Sequence, residues 1–386
     1  MFASINGMQM SGIASGWLVY TLTESPLALG IVTAGAGLPL ILFSLFGGAV
    51  ADRVKKRNLL LVTQGCLCVV STVVTILVFA EVVEIWHLVV ASLVSGLVAS
   101  FNMPARQAFL VELVDENELT NAIALNSIAG NICRIGSPAL AGVLLSIVDV
   151  PGVYAIVAAC YGLAVLTLVL LPSIDVLGQA QGQLNVGAVL KDVFEGLKYV
   201  RSNPTLFSLL IMAFVPLITA TSYHPLMPVF AKTIFEAGET GLGLLLSSAG
   251  IGALCGSSFI ATLGDFRRKG VLMLSSGMLF GLSLVCFGMA GHLIVAMIFL
   301  FFVGAGGSMF LTLIMSLIMS STPQELVGRV MSIFIMTWGL MPLAALPAGA
   351  LAEAYSAPLV VSIGGAILFI FLIAMSLIHP PLRKMK

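Results

Sequence analysis

Charge is what this sequence lacks most. Only 9% of its 386 residues are charged, against 59% hydrophobic, where a soluble chain carries roughly a quarter charged residues. Lys plus Arg equals Asp plus Glu at 17 each, so nothing in the charge balance calls for nucleic acid or an acidic partner. The six cysteines all fall inside apolar blocks and none forms a CxxC pair; they read as small apolar filler rather than as disulfides or metal ligands. There is no Walker loop, no Ser-His-Asp set, no metal-ligand cluster and no nucleotide-binding domain, so neither an enzyme nor an ATP-driven machine is expected, and no cofactor. Acids are missing from the middle of every apolar block. Those outside the basic loops (Glu24, Glu81, Glu84, Asp149, Glu236, Glu239 and Glu353) fall at block ends. A buried carboxylate with a raised pKa, able to trade its proton inside a membrane, is therefore absent.

What is present is apolar sequence in lengths that cross a bilayer, about 20 residues per helix. The spans read 2–21, 27–51, 58–80, 86–105, 120–147, 151–171, 205–231, 241–264, 270–290, 292–320, 325–352 and 357–378. One long polar stretch, 173–203, divides 1–172 from 204–386. Its Gly178–Gln183 run reads as linker, and Val189–Val200 as an amphipathic helix lying on the bilayer surface. With the N-terminus inside, fifteen of the seventeen Lys and Arg residues fall in cytoplasmic segments. That bias sets both termini in the cytoplasm. Span 1 starts at Phe2 with no basic residue before Arg53, and we expect its first turn to be truncated.

The two halves overlay. A shift of 213 positions matches Gly30 with Gly243, Gly37 with Gly250, Asp52 with Asp265 and Leu59 with Leu272; a shift of 207 matches Glu118-Leu119 with Glu325-Leu326 and Ala141-Gly142 with Ala348-Gly349. Two parallel six-span halves frame a central cavity that opens to either side.

After span 2 the chain reads Gly48-Ala-Val-Ala-Asp52-Arg53-Val-Lys55-Lys56-Arg57. This resembles the major facilitator loop pattern G-x-L-a-D-R-x-G-R-K, with Lys55 where the second Gly is usual. The second-half copy, Gly264-Asp265-Phe266-Arg267-Arg268-Lys269, keeps the Asp and the basic cluster but lacks the Arg directly after the Asp. A small residue lets the helix end approach a neighbour, and the Asp can meet a helix N-terminus or an Arg. The resemblance implies a cytoplasmic latch of Gly48, Asp52, Arg53, Arg57, Arg106, Asp265, Arg267 and Arg268 that stabilises an outward-open state. Further segments resemble the branch holding the enterobactin exporter and macrolide-efflux proteins: Trp17-Leu-Val-Tyr20, Ser25-Pro-Leu-Ala-Leu-Gly30, Pro104-Ala-Arg106-Gln-Ala and Arg134-Ile-Gly136-Ser-Pro138-Ala-Leu-Ala-Gly142. Gly136, Pro138 and Gly142 are similar to the span-5 glycine–proline motif of drug antiporters, where small residues allow close packing; a merely structural role is the other reading.

Arg134 carries the firm charge deep in a span, which makes it a functional hypothesis by default. Asn126, Asn131 and Arg134 share an arc of about 140° at 100° per residue, a polar stripe. Tyr223 and His224 lie toward the outer end of span 7; His224 titrates near neutral pH when unperturbed, and a hydrogen-bonded structural histidine is the alternative. Asn6, Gln9 and Asn102 complete the candidate cavity set, because the resemblance implies that spans 1, 4, 7 and 10 line it.

The sequence thus points to an all-α membrane protein of about twelve spans with the major facilitator fold. The resemblance implies a monomer in the bacterial inner membrane, with the bilayer, a small-molecule substrate and protons as partners. Export of an amphiphilic solute of drug or siderophore type is the leading expectation. An importer of a small metabolite, or a non-transporting sensor or scaffold, are the alternatives, and the span-5 polar stripe speaks against the scaffold.

Overall fold

In the computed structural model the residues described are 2–51, 53–113, 118–171, 198–263, 266, 268–323 and 326–385. Among them every regular element is a helix. A lipid-embedded chain has no water to satisfy its backbone, and helices satisfy it internally. Nine helical stretches among the described residues are long and apolar enough to cross a membrane. The chain divides into two compact units, Met1–Leu184 and Asn185–Lys386.

The first unit runs α1 (Phe2–Thr23), α2 (Pro26–Ala51), α3 (Lys56–Phe79), α4 (Ile85–Leu113) and α5 (Leu119–Leu170). The last holds two predicted spans joined without a loop. Asp149 breaks it with φ 54° and ψ −178°, and Pro151 restarts it, since proline suits a helix start where its missing N–H is no loss. Within this unit α2 packs on α4, α1 on α5, and α3 on α4 and α5.

The second unit contains α6 (Pro204–Thr219), α7 (Tyr223–Val229), α8 (Gly238–Leu263), α9 (Lys269–Gly288), α10 (Leu293–Ser320), α11 (Val327–Ala354) and α12 (Ala357–Ile378), then a 3-10 turn at Pro380–Lys384. Here α8 packs on α10, α6 on α11, and α9 on α10 and α12. The pairing repeats that of the first unit. One contact makes the correspondence specific. A Cβ added to Gly96 would lie 2.0 Å from the Ala36 carbonyl oxygen, and one added to Gly304 would lie 1.9 Å from that of Ala249. Ala36 and Ala249 are themselves 213 positions apart, the offset that overlays the early parts of the two halves. Only glycine lets these backbones meet.

Span 7, expected as one helix over 205–231, is broken. Asn203 caps its start by accepting from Thr205 N–H at 3.1 Å and Leu206 N–H at 3.3 Å, which satisfies two otherwise orphan donors. The helix then stops at Thr219. Pro225 cannot donate back to the Thr221 carbonyl; His224 N–H takes it instead at 3.1 Å. Thr221 and Ser222 hydroxyls donate to the Leu217 and Ile218 carbonyls at 2.6 and 3.1 Å. A π turn, Phe230–Ile234, ends the segment.

Four tight turns between consecutive spans carry a residue with positive φ, and all four are acids: Glu24 (54°), Glu81 (56°), Asp149 (54°) and Glu236 (49°). Left-handed backbone favours glycine or asparagine. In these turns the acid follows the end of one helix and lies two to four residues before the next, whose N-terminal dipole favours negative charge. The surface amphipathic helix expected over Val189–Val200 lies mostly outside the described residues; 198–202 are helical.

Candidate functional site

The polar side chains of the first unit gather inside it. On α1, Asn6 donates to Cys133 Sγ at 3.1 Å and accepts from Ser137 Oγ at 2.5 Å. Ser4 accepts from Gln64 Nε2 at 2.7 Å. The neighbouring Thr63 accepts from Asn102 Nδ2 at 2.9 Å and donates to the Leu60 carbonyl at 3.0 Å. Thus α1, α3, α4 and α5 are cross-linked by side-chain amides and hydroxyls in an apolar surround. Each satisfied bond contributes about 1 kcal/mol, and a buried polar group left open costs about 1–3 kcal/mol. Two atoms are left open. Gln64 Oε1 and Arg106 Nε are buried with no hydrogen-bond partner. Arg106 is half-buried on α4, one turn from Asn102 and within electrostatic range of Cys133.

At the basic end of α3 the charges are spoken for within the first unit. Arg57 donates from Nε to the Leu168 carbonyl and from Nη2 to that of Val169, both at 2.8 Å. These are orphan carbonyls in the last turn of α5, where a cation is also favoured by the helix dipole. Lys56 pairs with Glu112 near the end of α4 at 2.8 Å. Arg53 and Arg268 are exposed. Asp52, Asp265 and Arg267 lie outside the described residues, as do any details of Gly48.

The remaining candidates divide. Gln9 and Asn126 are half-buried. Asn131 and Arg134 fall on α5, with side chains outside the described set. Tyr223 is buried, while His224 stacks on it with ring centroids 4.2 Å apart and is itself exposed. Gly136 has open space where a Cβ would go, so close packing does not require glycine there. Pro138 is half-buried and Gly142 buried.

Sequence reasoning missed Gln64, Thr63, Ser4 and Ser137, and took Cys133 for filler although it accepts a hydrogen bond from Asn6. One signal was available: Gln64 is an amide in the apolar run of α3, and an uncharged amide still costs several kcal/mol to bury unpaired.

A family model described as transmembrane secretion effector, of the major facilitator type, matches residues 1–386. The chain belongs to this family. This major facilitator is similar to the staphyloferrin A transporter of Staphylococcus aureus, at 28% identity over 344 residues, 88% of this chain and 84% of the other. It is similar also to the multidrug efflux pump Tap of Mycolicibacterium fortuitum, at 25% identity over 92% of this chain and 88% of that one. Among solved structures the nucleoside transporter NupG superposes with a TM-score of 0.75 at 16% identity, over 98% of this chain and 97% of its own; that likeness speaks to fold alone. The major facilitator chain is accordingly a multi-pass membrane transporter and not an enzyme.

Proposed function

We propose that this transporter exports a small amphiphilic solute by alternating access. The reading has the chain cross the bacterial inner membrane twelve times as a monomer with both termini in the cytoplasm, α5 supplying two spans and α6 with α7 one. Spans 1–6 and 7–12 are the two moving halves, joined by residues 173–203. The single observation that supports it best is the set of polar side chains inside the first unit, Asn6, Gln64, Asn102 and Arg106 among them. A scaffold gains nothing from amides and a guanidinium in its apolar interior, whereas a solute pathway needs them.

In this reading the solute enters from the cytoplasm or inner leaflet. Apolar walls hold its body, and Asn6, Gln9, Asn102, Asn126, Asn131, Arg134, Tyr223 and His224 supply polar contacts. Asp52 and Asp265 with their basic neighbours form the latch that favours outward opening. Efflux relatives such as Tap support the direction, and the staphyloferrin A transporter supports a siderophore-type cargo beside a drug-type one. Proton exchange is the proposed driving force; with no acid in mid-span, His224, Glu24 or Asp149 would carry the proton.

Everted membrane vesicles holding the full chain test this. Export predicts ATP-independent accumulation of a lipophilic dye or a carboxylate siderophore that collapses when the proton gradient is dissipated. Accumulation only in right-side-out vesicles would instead make the chain an importer. Absence of flux for every solute, with folded protein present, would favour a scaffold.

A further inference from the structure

We infer that Arg106, expected from the sequence in the cytoplasmic latch, instead heads a carboxylate-binding site inside the first unit. Arg106 lies on α4 within the membrane-crossing stretch Ile85–Leu110, and its Nε is buried without a partner. No carboxylate near it is open to balance it among the described residues. The helices α1, α2 and α3 contain no Asp or Glu, nor does the part of α5 from 119 to 148, and Asp52, which follows α2, lies outside the described residues. On α4 the acid is Glu112, and Lys56 already holds it at 2.8 Å. Cys133, the side chain within electrostatic range, is neutral as a thiol and already engaged with Asn6. A buried guanidinium nitrogen with no partner among the described residues is costly, and the group that relieves the cost best is a carboxylate. The planar fork meets its two oxygens with paired, charge-assisted hydrogen bonds.

The surroundings fit an anion carried on a larger body. Asn102, one turn from Arg106, and Thr63 are neutral, so neither competes for the charge. Gln64, next in the chain to Thr63, is 3% exposed and keeps Oε1 unpartnered. That oxygen is an acceptor, so it takes a hydroxyl or amide N–H rather than the anion. The inference rests on the export reading only in naming the carboxylate's owner as the cargo; the site itself does not depend on the direction of flux.

The test uses the purified full chain in detergent and chloride-free buffer, with benzoate as probe and benzamide as its neutral isostere. Benzoate should raise the melting temperature and benzamide should not. Arg106→Gln should abolish the shift, and Arg201→Gln, an exposed charge of the second unit, should retain it. If Arg106→Gln does not fold, Arg106→Lys carries the test: losing the fork should weaken benzoate about tenfold, one charge-assisted hydrogen bond's worth. Three results overturn the inference: no benzoate shift in the native chain, an unchanged shift in the folded variant, or chloride alone giving the same Arg106-dependent shift. Benzoate binding through Arg106 without flux of any carboxylate from everted vesicles would leave the site standing and sink the export reading. Flux of a carboxylate that Arg106→Gln leaves untouched would do the reverse.

Discussion

The two halves share a packing plan and differ in what ties it together. At the start of α3 in the first, the ties are side-chain charges: Arg57 on the carbonyls ending α5, and Lys56 on Glu112. At the start of α9 in the second, the tie is backbone. Gly270 N–H donates to the Met385 carbonyl at 3.2 Å, and the C-terminal turn is pressed so close that a Cβ on Gly270 would overlap the Leu382 carbonyl. The interiors differ in the same way. The first half holds amide-to-hydroxyl links between helices, whereas described links in the second include hydroxyls donating to backbone, Ser308 to Ala253 and Ser362 to Val285. Duplication kept the frame and let the filling diverge. Among the described residues, amide-to-hydroxyl links lie in the first half, and close backbone approaches at glycine recur in the second.

The shared frame is where the largest effect is expected. Gly96→Leu in the first half and Gly304→Leu in the second both drive a side chain into backbone carbonyls, those of Ala36 and Ala249, 2.0 and 1.9 Å from where the Cβ would lie. Overpacking against backbone costs about 3 kcal/mol or more. Neither variant should give a monodisperse peak on size exclusion, and a folded peak for one alone would break the symmetry of the frame.

The ties come next. Leu382 is 1% exposed, and Leu382→Ala should cost about 2–3 kcal/mol as a cavity in the second half. Arg57→Ala should cost the first half about 2 kcal/mol, because two charge-assisted bonds go but water reaches one of the freed carbonyls. Adding 0.5 M salt should weaken the Lys56–Glu112 tie and leave the Gly270 tie alone. Thermal melting of the purified chain checks all of these, and equal salt sensitivity of Arg57→Ala and Leu382→Ala backgrounds would blur the contrast.

Smaller still is the coupling between Asn102 and Thr63. A cycle of Asn102→Leu, Thr63→Val and the double variant should give about 1 kcal/mol. Zero coupling would remove a link from the first half's polar network. Smallest is Glu81→Gly, which relieves the left-handed backbone at φ 56° and should be neutral or stabilise by up to about 1 kcal/mol. A loss on melting would mean that the carboxylate does work the turn geometry does not reveal.

Membrane class, most span positions and the repeat were legible in the residue order. Each depends on local composition: apolar length, where Lys and Arg fall, and glycines recurring at a fixed offset. Asp149 and Pro151 were visible as a boundary, though not as a kink without a loop. The break after Thr219 was not foreseen, because Pro216, Pro225 and Pro228 are each tolerated inside membrane helices and only the carbonyl bonding shows where the chain yields.

The candidate site was legible in part. Asn6 and Asn102 stood out as amides in apolar runs, whereas Arg106 was read as a cytoplasmic latch residue. What no linear reading supplies is who meets whom. Ser4 and Gln64 are 60 positions apart, and Asn6 and Ser137 are 131; their pairing depends on the rotation of four helices about their axes, which packing sets. The low charge noted at the outset marked this chain as a membrane protein. Whether a given charge is balanced is a matter of distance, and the fold balances Lys56 and Arg57 while leaving Arg106 Nε open.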